Sequence, residues 1–239
     1  SQQAVVANCN VTFQLNAKTD SAITIDVQRK LPGEIIYNTI NTISSTGGFK
    51  MNNLIFVDDL SMYTTSGISY RFKMNIAADT SFYLDSTIVN FIPKPNLGTD
   101  KSISICSGNS LNLTTQFVTT GLNINWTING TNVSNPLAVN TPGVYQLIAN
   151  NASGCADTAT ISLTINTKPN LGADRSFTKC TDSSFNLLNL FNTTNLITNW
   201  TIGGMAVTNP AAVINEGVYQ LIAENNLGCT DTALVTISN

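Results

Sequence analysis

Five cysteines, two tryptophans and a few carboxylates are the residues of this chain whose chemistry could define a site. Cys106 and Cys155 are 49 residues apart, and so are Cys180 and Cys229. Thiols at matched spacing either close disulfides or hold zinc. Zinc wants four ligands in CxxC or Cys/His clusters, and the chain has no CxxC and no histidine. The spacing therefore predicts one disulfide inside each pair, Cys106–Cys155 and Cys180–Cys229, formed in an oxidising compartment. Cys9 is left over and reads as a small buried or idle thiol.

The other candidates point away from catalysis. Without histidine, and with the cysteines oxidised, the usual nucleophile–base pairs are missing. Two carboxylates can hydrolyse a glycoside, but Asp58 and Asp59 are adjacent and face opposite sides of a strand. Asp100 and Asp174 could each offer oxygen to calcium. One carboxylate is thin against the 6–8 ligands calcium takes, so both read as turn residues. Trp126 and Trp200 could stack a sugar. Both sit on alternating strands, the place where an immunoglobulin-like core keeps its tryptophan. The expectation is a non-enzyme with no catalytic residue, no metal and no cofactor.

These residues are organised by a repeat. Gly143-Val-Tyr-Gln-Leu-Ile-Ala149 returns unchanged as Gly217 to Ala223, an offset of 74. Counted from Lys94 and from Lys168, 38 of 72 positions are identical without a gap, so one folded unit is copied in tandem. Within it, Ser110–Leu113, Leu122–Trp126, Val144–Ile148 and Ala159–Ile165 alternate apolar with polar, as half-buried strands do. Asn129-Gly130 marks a tight turn, and Asn150–Gly154 joins two strands as a hairpin. Tyr145 and Tyr219 read as corner tyrosines with their hydroxyls bonded to backbone.

Residues 1–93 lack the repeat but keep the strand period at Val11–Leu15, Ile23–Gln28 and Tyr70–Met74, while Leu84–Ile92 is rich in β-branched and aromatic residues and ends at Pro93. Turn signals fall at Pro32-Gly33, Gly47-Gly48 and Ser66-Gly67. This predicts a sandwich of about seven strands, with Tyr70 and Phe72 on one face and Arg71 and Lys73 on the other. Prolines at 93, 95 and 169 read as short stiff joints. The expected organisation is three modules, 1–93, 94–166 and 167–239, in an elongated rod.

Composition narrows the partners. Charged residues are 10% of the chain and the net charge is −3. Eleven scattered basic residues make no patch for phosphate, so nucleic acid is not an expected partner. No apolar run approaches the roughly 18 residues of a membrane helix, and Ser1-Gln2-Gln3 is compatible with a mature secreted end. Asn, Thr and Ser replace the missing charge, as on extracellular β surfaces.

Two resemblances add to this reading. Ile23-Thr-Ile-Asp-Val-Gln-Arg29, then Leu31-Pro-Gly-Glu34, Phe56-Val-Asp58, Gly67 and Tyr70-Arg-Phe-Lys73, resemble secreted bacterial fibronectin type III-like modules. The departures are Leu31-Pro32-Gly33 at the turn and Ala77-Ala78-Asp79 where Asp-Gly is usual. Asn96-Leu-Gly-Thr-Asp100, Cys106-Ser-Gly108, Trp126, Gly143-Val-Tyr145 and Gly154-Cys155, with their second copies, resemble the Ig-like/PKD-like repeats of large Bacteroidetes surface proteins, gliding-motility adhesins among them. The second copy has Asp182 where the first has Gly108. The resemblance implies an all-β chain of three tandem β-sandwich modules, part of an extracellular adhesive stalk. Its partners would be other modules of the same or neighbouring surface proteins, self-assembled copies or glycans, without membrane insertion. A filament or surface-layer subunit, and a spacer of a secreted polysaccharide-degrading enzyme, are the alternatives. The same resemblance implies O-glycosylation at Asp-Ser/Thr sites: Ser21, Ser86, Thr158 and Thr232. Asn-x-Ser/Thr triplets, as at Asn10 and Asn112, carry less weight because abundant Asn and Thr create them by chance.

Overall fold

A computed structural model describes residues 2–49, 51–77 and 80–239. Ser1, and the Ala78-Asp79 part of the fibronectin-like departure, lie outside the described residues.

The alternating segments near the N-terminus form β1 (Gln2–Ala7), β2 (Asn10–Lys18), β3 (Ile23–Lys30), β4 (Asn38–Ser45), β5 (Met51–Asp59), β6 (Ile68–Ala77), β7 (Thr80–Tyr83) and β8 (Thr87–Val89). They build two antiparallel sheets, ordered β1–β2–β5 and β4–β3–β6–β7, with β8 on β6. The period of two puts Val11, Phe13 and Leu15 of β2 and Ile25, Val27, Tyr70 and Phe72 of the facing sheet inside. Phe13 joins the layers, its ring centroid 4.9 Å from that of Tyr70 and 5.2 Å from that of Phe72. Arg71 is on the opposite face, as expected, its guanidinium 4.1 Å from the Tyr37 ring centroid and 4.3 Å from that of Tyr83.

The first repeat supplies β9 (Lys101–Cys106), β10 (Asn123–Ile128), β11 (Thr131–Asn132), β12 (Gly143–Asn150) and β13 (Ala156–Asn166). The second supplies β14 (Arg175–Thr178), β15 (Ile197–Ile202), β16 (Met205–Ala206), β17 (Gly217–Glu224) and β18 (Thr230–Ser238). The two sheets have the same order, β11–β10–β12–β13–β9 and β16–β15–β17–β18–β14. In each, one edge strand joins in parallel: Cys106 stands beside Asn166, and Thr178 beside Ser238. Asn129-Gly130 makes the expected tight turn, both residues at positive φ.

Two strand expectations fall short, and the first is Leu84–Ile92, which is strand only over Thr87–Val89. Of Ser110–Leu113, only Leu111 pairs, in an isolated bridge to Val139, and Leu113 opens a 3-10 turn through Thr115. The Asn112 side chain accepts hydrogen bonds from the Thr114 N–H and hydroxyl, which turns the chain out of an extended path. Phe185 and Val213 repeat that bridge. In the second repeat, Leu187 and Phe191 pack with Trp200, Tyr219, Leu221 and Val235 in one buried cluster.

The chain divides into two compact units, and the first repeat contributes to both. One takes the residues to Asp100 with Thr115–Ser134 and Tyr145–Thr160, the other Lys101–Thr114, Asn135–Val144 and Ile161–Asn239. The fold is all-β, built of β-sandwich modules. No helix among the described residues is long and apolar enough to cross a membrane.

Candidate functional site: disulfide-clipped joints

The cysteines pair differently from the spacing expectation. Cys9 bonds Cys155, with Cα atoms 4.5 Å apart, and Cys106 bonds Cys229, with Cα atoms 5.6 Å apart. Cys180 is unpaired and exposed. Cys9 is thus no idle thiol, and neither disulfide lies inside one repeat. The parallel edge strand explains why. Cys180 follows β14, whose last residue lies beside the end of β18, whereas Cys229 immediately precedes the start of β18. Nine residues of strand at about 3.3 Å each separate the two ends by about 30 Å, and a disulfide spans Cα atoms no more than about 7 Å apart. Cys106, beside the last residue of β13, stands in the same relation to Cys155, which precedes that strand.

Each disulfide instead clips a cysteine-bearing turn to the hairpin of the next module. In the first compact unit the turn is Asn8-Cys9, both residues left-handed (φ 50° and 61°), a two-residue link between β1 and β2. The hairpin is Asn151–Cys155, between β12 and β13. Its backbone closes through Asn151 N–H to Cys155 O and Gly154 N–H to Asn151 O, each 3.0 Å. The buried Asn151 side chain finishes the joint. Its Oδ1 accepts the N–H groups of Ser153 and Cys155, and its Nδ2 donates to the carbonyls of Ile92 and Pro93 at 2.9 and 2.7 Å. Ser153 Oγ accepts the Ile92 N–H. Gly154 is at φ +76°, and a Cβ there would meet the Asn8 backbone N at 2.9 Å.

The second compact unit repeats this arrangement. Asn225 Oδ1 accepts the N–H groups of Leu227 and Cys229, and Nδ2 donates to the Thr167 carbonyl at 2.8 Å. On the cysteine side, Ser107 N–H donates to Asn166 O at 2.8 Å and Ser107 Oγ accepts the Lys168 N–H. Asn151 and Asn225 are absent from the sequence-based candidates, although Asn-x-x-Gly-Cys recurs at the offset of 74.

The Asn-Leu-Gly-x-Asp segments belong to the same joints. Asn96 Oδ1 accepts the Gly98 N–H, Leu97 is buried, and its N–H reaches Asp157 Oδ2 at 2.9 Å. Asp100 accepts the Thr160 N–H at 2.7 Å. The second copy uses Asn170, Leu171, Asp231 and Asp174 in the same roles. Asp100 and Asp174 therefore pin the chain entering a module to that module's last strand. Asp157 also pairs with Lys94 at 3.0 Å. Burial pushes its carboxyl up, but the Leu97 N–H, the Lys94 ammonium and the Thr158 N–H together hold it below the usual carboxylate value.

The remaining candidates have structural partners as well. Asp58 takes Arg29 at 2.7 Å and the Tyr70 hydroxyl at 2.6 Å, while Asp59 accepts the Ser61 N–H. Burial, then hydrogen bonding to Asp58, pushes the Tyr70 phenol above its ordinary value. Trp126 and Trp200 are 4% and 6% exposed, too covered to present a ring to a sugar. Tyr219 is a corner tyrosine, its hydroxyl donating to the Asn215 carbonyl at 2.7 Å. Tyr145 is equally buried. Ser21 lies in the bend between β2 and β3, Ser86 between β7 and β8, and Thr158 and Thr232 at matching places on β13 and β18. All four are exposed and scattered, brought together in no common site.

No family model matches the chain, and no curated protein matches it. Solved structures do. A titin I9–I11 tandem is 11% identical over 100% of this chain and 99% of its own, with a TM-score of 0.30. The insect immune protein hemolin is 13% identical over 99% of this chain and 76% of its own, with a TM-score of 0.28. A marsupial T cell receptor is 11% identical over 98% of each chain, with a TM-score of 0.30.

Proposed function

We propose that the chain is a non-catalytic length of an extracellular surface protein, a stalk of three modules (1–93, 94–166 and 167–239) that holds adhesive surfaces away from the cell. One observation carries this reading: each disulfide joins a cysteine-bearing turn to the hairpin of the next module, over a joint already sealed by hydrogen bonds. Such clips suit a chain that bears tension, and they persist in an oxidising exterior. The two-sheet arrangement of β1–β8 supports the fibronectin type III-like resemblance of the first module. The conserved sheet order of the two repeats supports an Ig-like/PKD-like reading of the kind found in Bacteroidetes adhesins. Ser21, Ser86, Thr158 and Thr232 are the proposed O-glycosylation positions.

The test is antibody labelling of intact source cells, followed by adhesion of beads coated with the chain to glycan and protein surfaces. Label on unbroken cells and saturable bead adhesion are expected. Label that appears only after lysis would sink the reading. A filament or surface-layer subunit is the second reading, favoured by β5. Its outer edge is unpaired among the described strands, and Ile55 and Val57 are about half exposed on it. Ordered polymers in micrographs of purified chain would select it.

A further inference from the structure

Cys180 stands where Cys106 stands, 74 residues on, and the two share a turn. Asn109 N–H donates to Cys106 O at 3.0 Å, and Ser183 N–H to Cys180 O at 3.1 Å. Gly108 and Asp182, the counterparts two residues after each cysteine, are both left-handed (φ 86° and 62°). The substitution of Asp182 for glycine therefore leaves the turn intact. Each turn is also tied to the end of its module's last strand, by Ser107 N–H to Asn166 O and by Lys179 N–H to Ser238 O. The difference lies in the sulfur. Cys106 is bonded to the hairpin of the next module, while Cys180 is exposed and unpaired. The hairpin cysteine of its own repeat, Cys229, is already taken.

We propose that Cys180 is the receiving half of a further inter-module disulfide, and that its partner is the cysteine of an Asn-x-x-Gly-Cys hairpin. That hairpin belongs to another Ig-like repeat, placed after β18 as the second repeat is placed after β13. This rests on the tandem-module reading above. Two occupied joints establish the pairing rule: the turn cysteine of one module bonds the hairpin cysteine of the next, and an Asn of that hairpin donates to carbonyls of the intervening link. The third turn obeys the same geometry and lacks the hairpin. Closing the bond is an oxidation. Two thiols lose two protons and two electrons as the S–S bond forms, and a small disulfide such as oxidised glutathione takes them up and leaves as two thiols.

The test adds one more copy of residues 166–239, link included, directly after Asn239 of the full chain, refolded in a glutathione redox buffer. Alkylation and non-reducing peptide mapping then assign every cysteine. The expected result is Cys180 linked to the added copy's hairpin cysteine, with one free thiol per chain, now in the added copy. Cys180 alkylated, with the two added cysteines either bonded to each other or both free, overturns the proposal. A measurement on the unextended chain guards against misfolding of the addition. In Cys106→Ser, the released Cys229, about 30 Å from Cys180, should remain a thiol, giving two thiols per chain that alkylate once it is unfolded. A Cys180–Cys229 bond there, or a Cys180–Cys180 dimer of the wild type in oxidised glutathione, overturns it equally. Absence of surface label on cells, with the Cys180 linkage formed, would remove the surface reading and leave this pairing standing.

Discussion

Cys106 and Cys229 are 123 residues apart in the chain, yet their Cα atoms lie 5.6 Å apart and their sulfurs are bonded. A closure of that length restricts the unfolded chain by at most about 5 kcal/mol on the loop-entropy estimate. The Cys106→Ser/Cys229→Ser double variant should therefore lose about 3–5 kcal/mol in denaturant unfolding. The wild type with a reductant should fall at least as far, since it also loses Cys9–Cys155. Unfolding curves that overlay with and without reductant would refute this role.

Asn151 should be the most sensitive uncharged polar residue. It is buried and makes four hydrogen bonds, two within its hairpin and two across the first joint. Truncation to Ala strands two carbonyls and two N–H groups, and about 3 kcal/mol should be lost. Asn225→Ala, at a half-exposed site with one carbonyl partner, should cost roughly 2 kcal/mol. Urea midpoints that shift equally for the two, or not at all, would contradict this ranking.

A paired glycine test separates conformation from contact. Gly154 and Gly228 share φ near +76°, but a Cβ at Gly228 meets nothing closer than 4.0 Å, while one at Gly154 lies 2.9 Å from the Asn8 backbone. Gly228→Ala should cost about 1 kcal/mol from the left-handed backbone alone. Gly154→Ala should cost at least twice that and slow closure of Cys9–Cys155 during oxidative refolding. Equal losses would mean that the Asn8 contact yields.

Acid should loosen the first joint through Asp157. Its folded carboxyl titrates below the ordinary value near 4, so the unfolded state binds the proton more readily. The stabilisation is complete above the ordinary value and is lost as pH falls through the lowered folded one. Asp157→Asn should lower stability at pH 7 and flatten the acid limb of the stability–pH profile. The alkaline side runs the other way. Tyr70 ionises only above its ordinary value, so its contribution is complete below about pH 10 and declines as pH rises further. Stability curves of Asp157→Asn and wild type that stay parallel from pH 7 to 3 would remove Asp157 from the account.

Trp126 and Trp200 should behave as core. Acrylamide should quench both weakly in the native state, and Trp→Ala at either should cost about 3–5 kcal/mol. A sugar that shifts the native tryptophan emission would instead place a ring in a binding site.

Much of the fold can be read along the chain, because a strand's period of two is local. Val11, Phe13 and Leu15 announce their buried face within five residues, and the exact return of Gly143–Ala149 announces a copied module. The tight turn at Asn129-Gly130 and the core places of Trp126 and Trp200 are legible for the same reason. Ser110–Leu113 misleads because its alternation is real, while the Asn112 side chain bends the backbone away from a ladder. The functional role of Asn151 is hidden because its partners, Ile92 and Pro93, lie 58 residues or more upstream.

The cysteine pairing marks the division between what the sequence determines and what tertiary structure decides. Sequence alone determines that there are two modules with two cysteines each at equal spacing, in a chain suited to an oxidising exterior. It leaves open which end of a module each sulfur occupies. That depends on β9 and β14 joining their sheets in parallel, which carries Cys106 and Cys180 to the end of the last strand farthest from Cys155 and Cys229. Parallel or antiparallel entry of an edge strand is settled by which partner completes the sheet, a contact between residues some 60 positions apart. The tertiary fold thereby turns two expected internal staples into clips between modules, and leaves Cys180 facing outward.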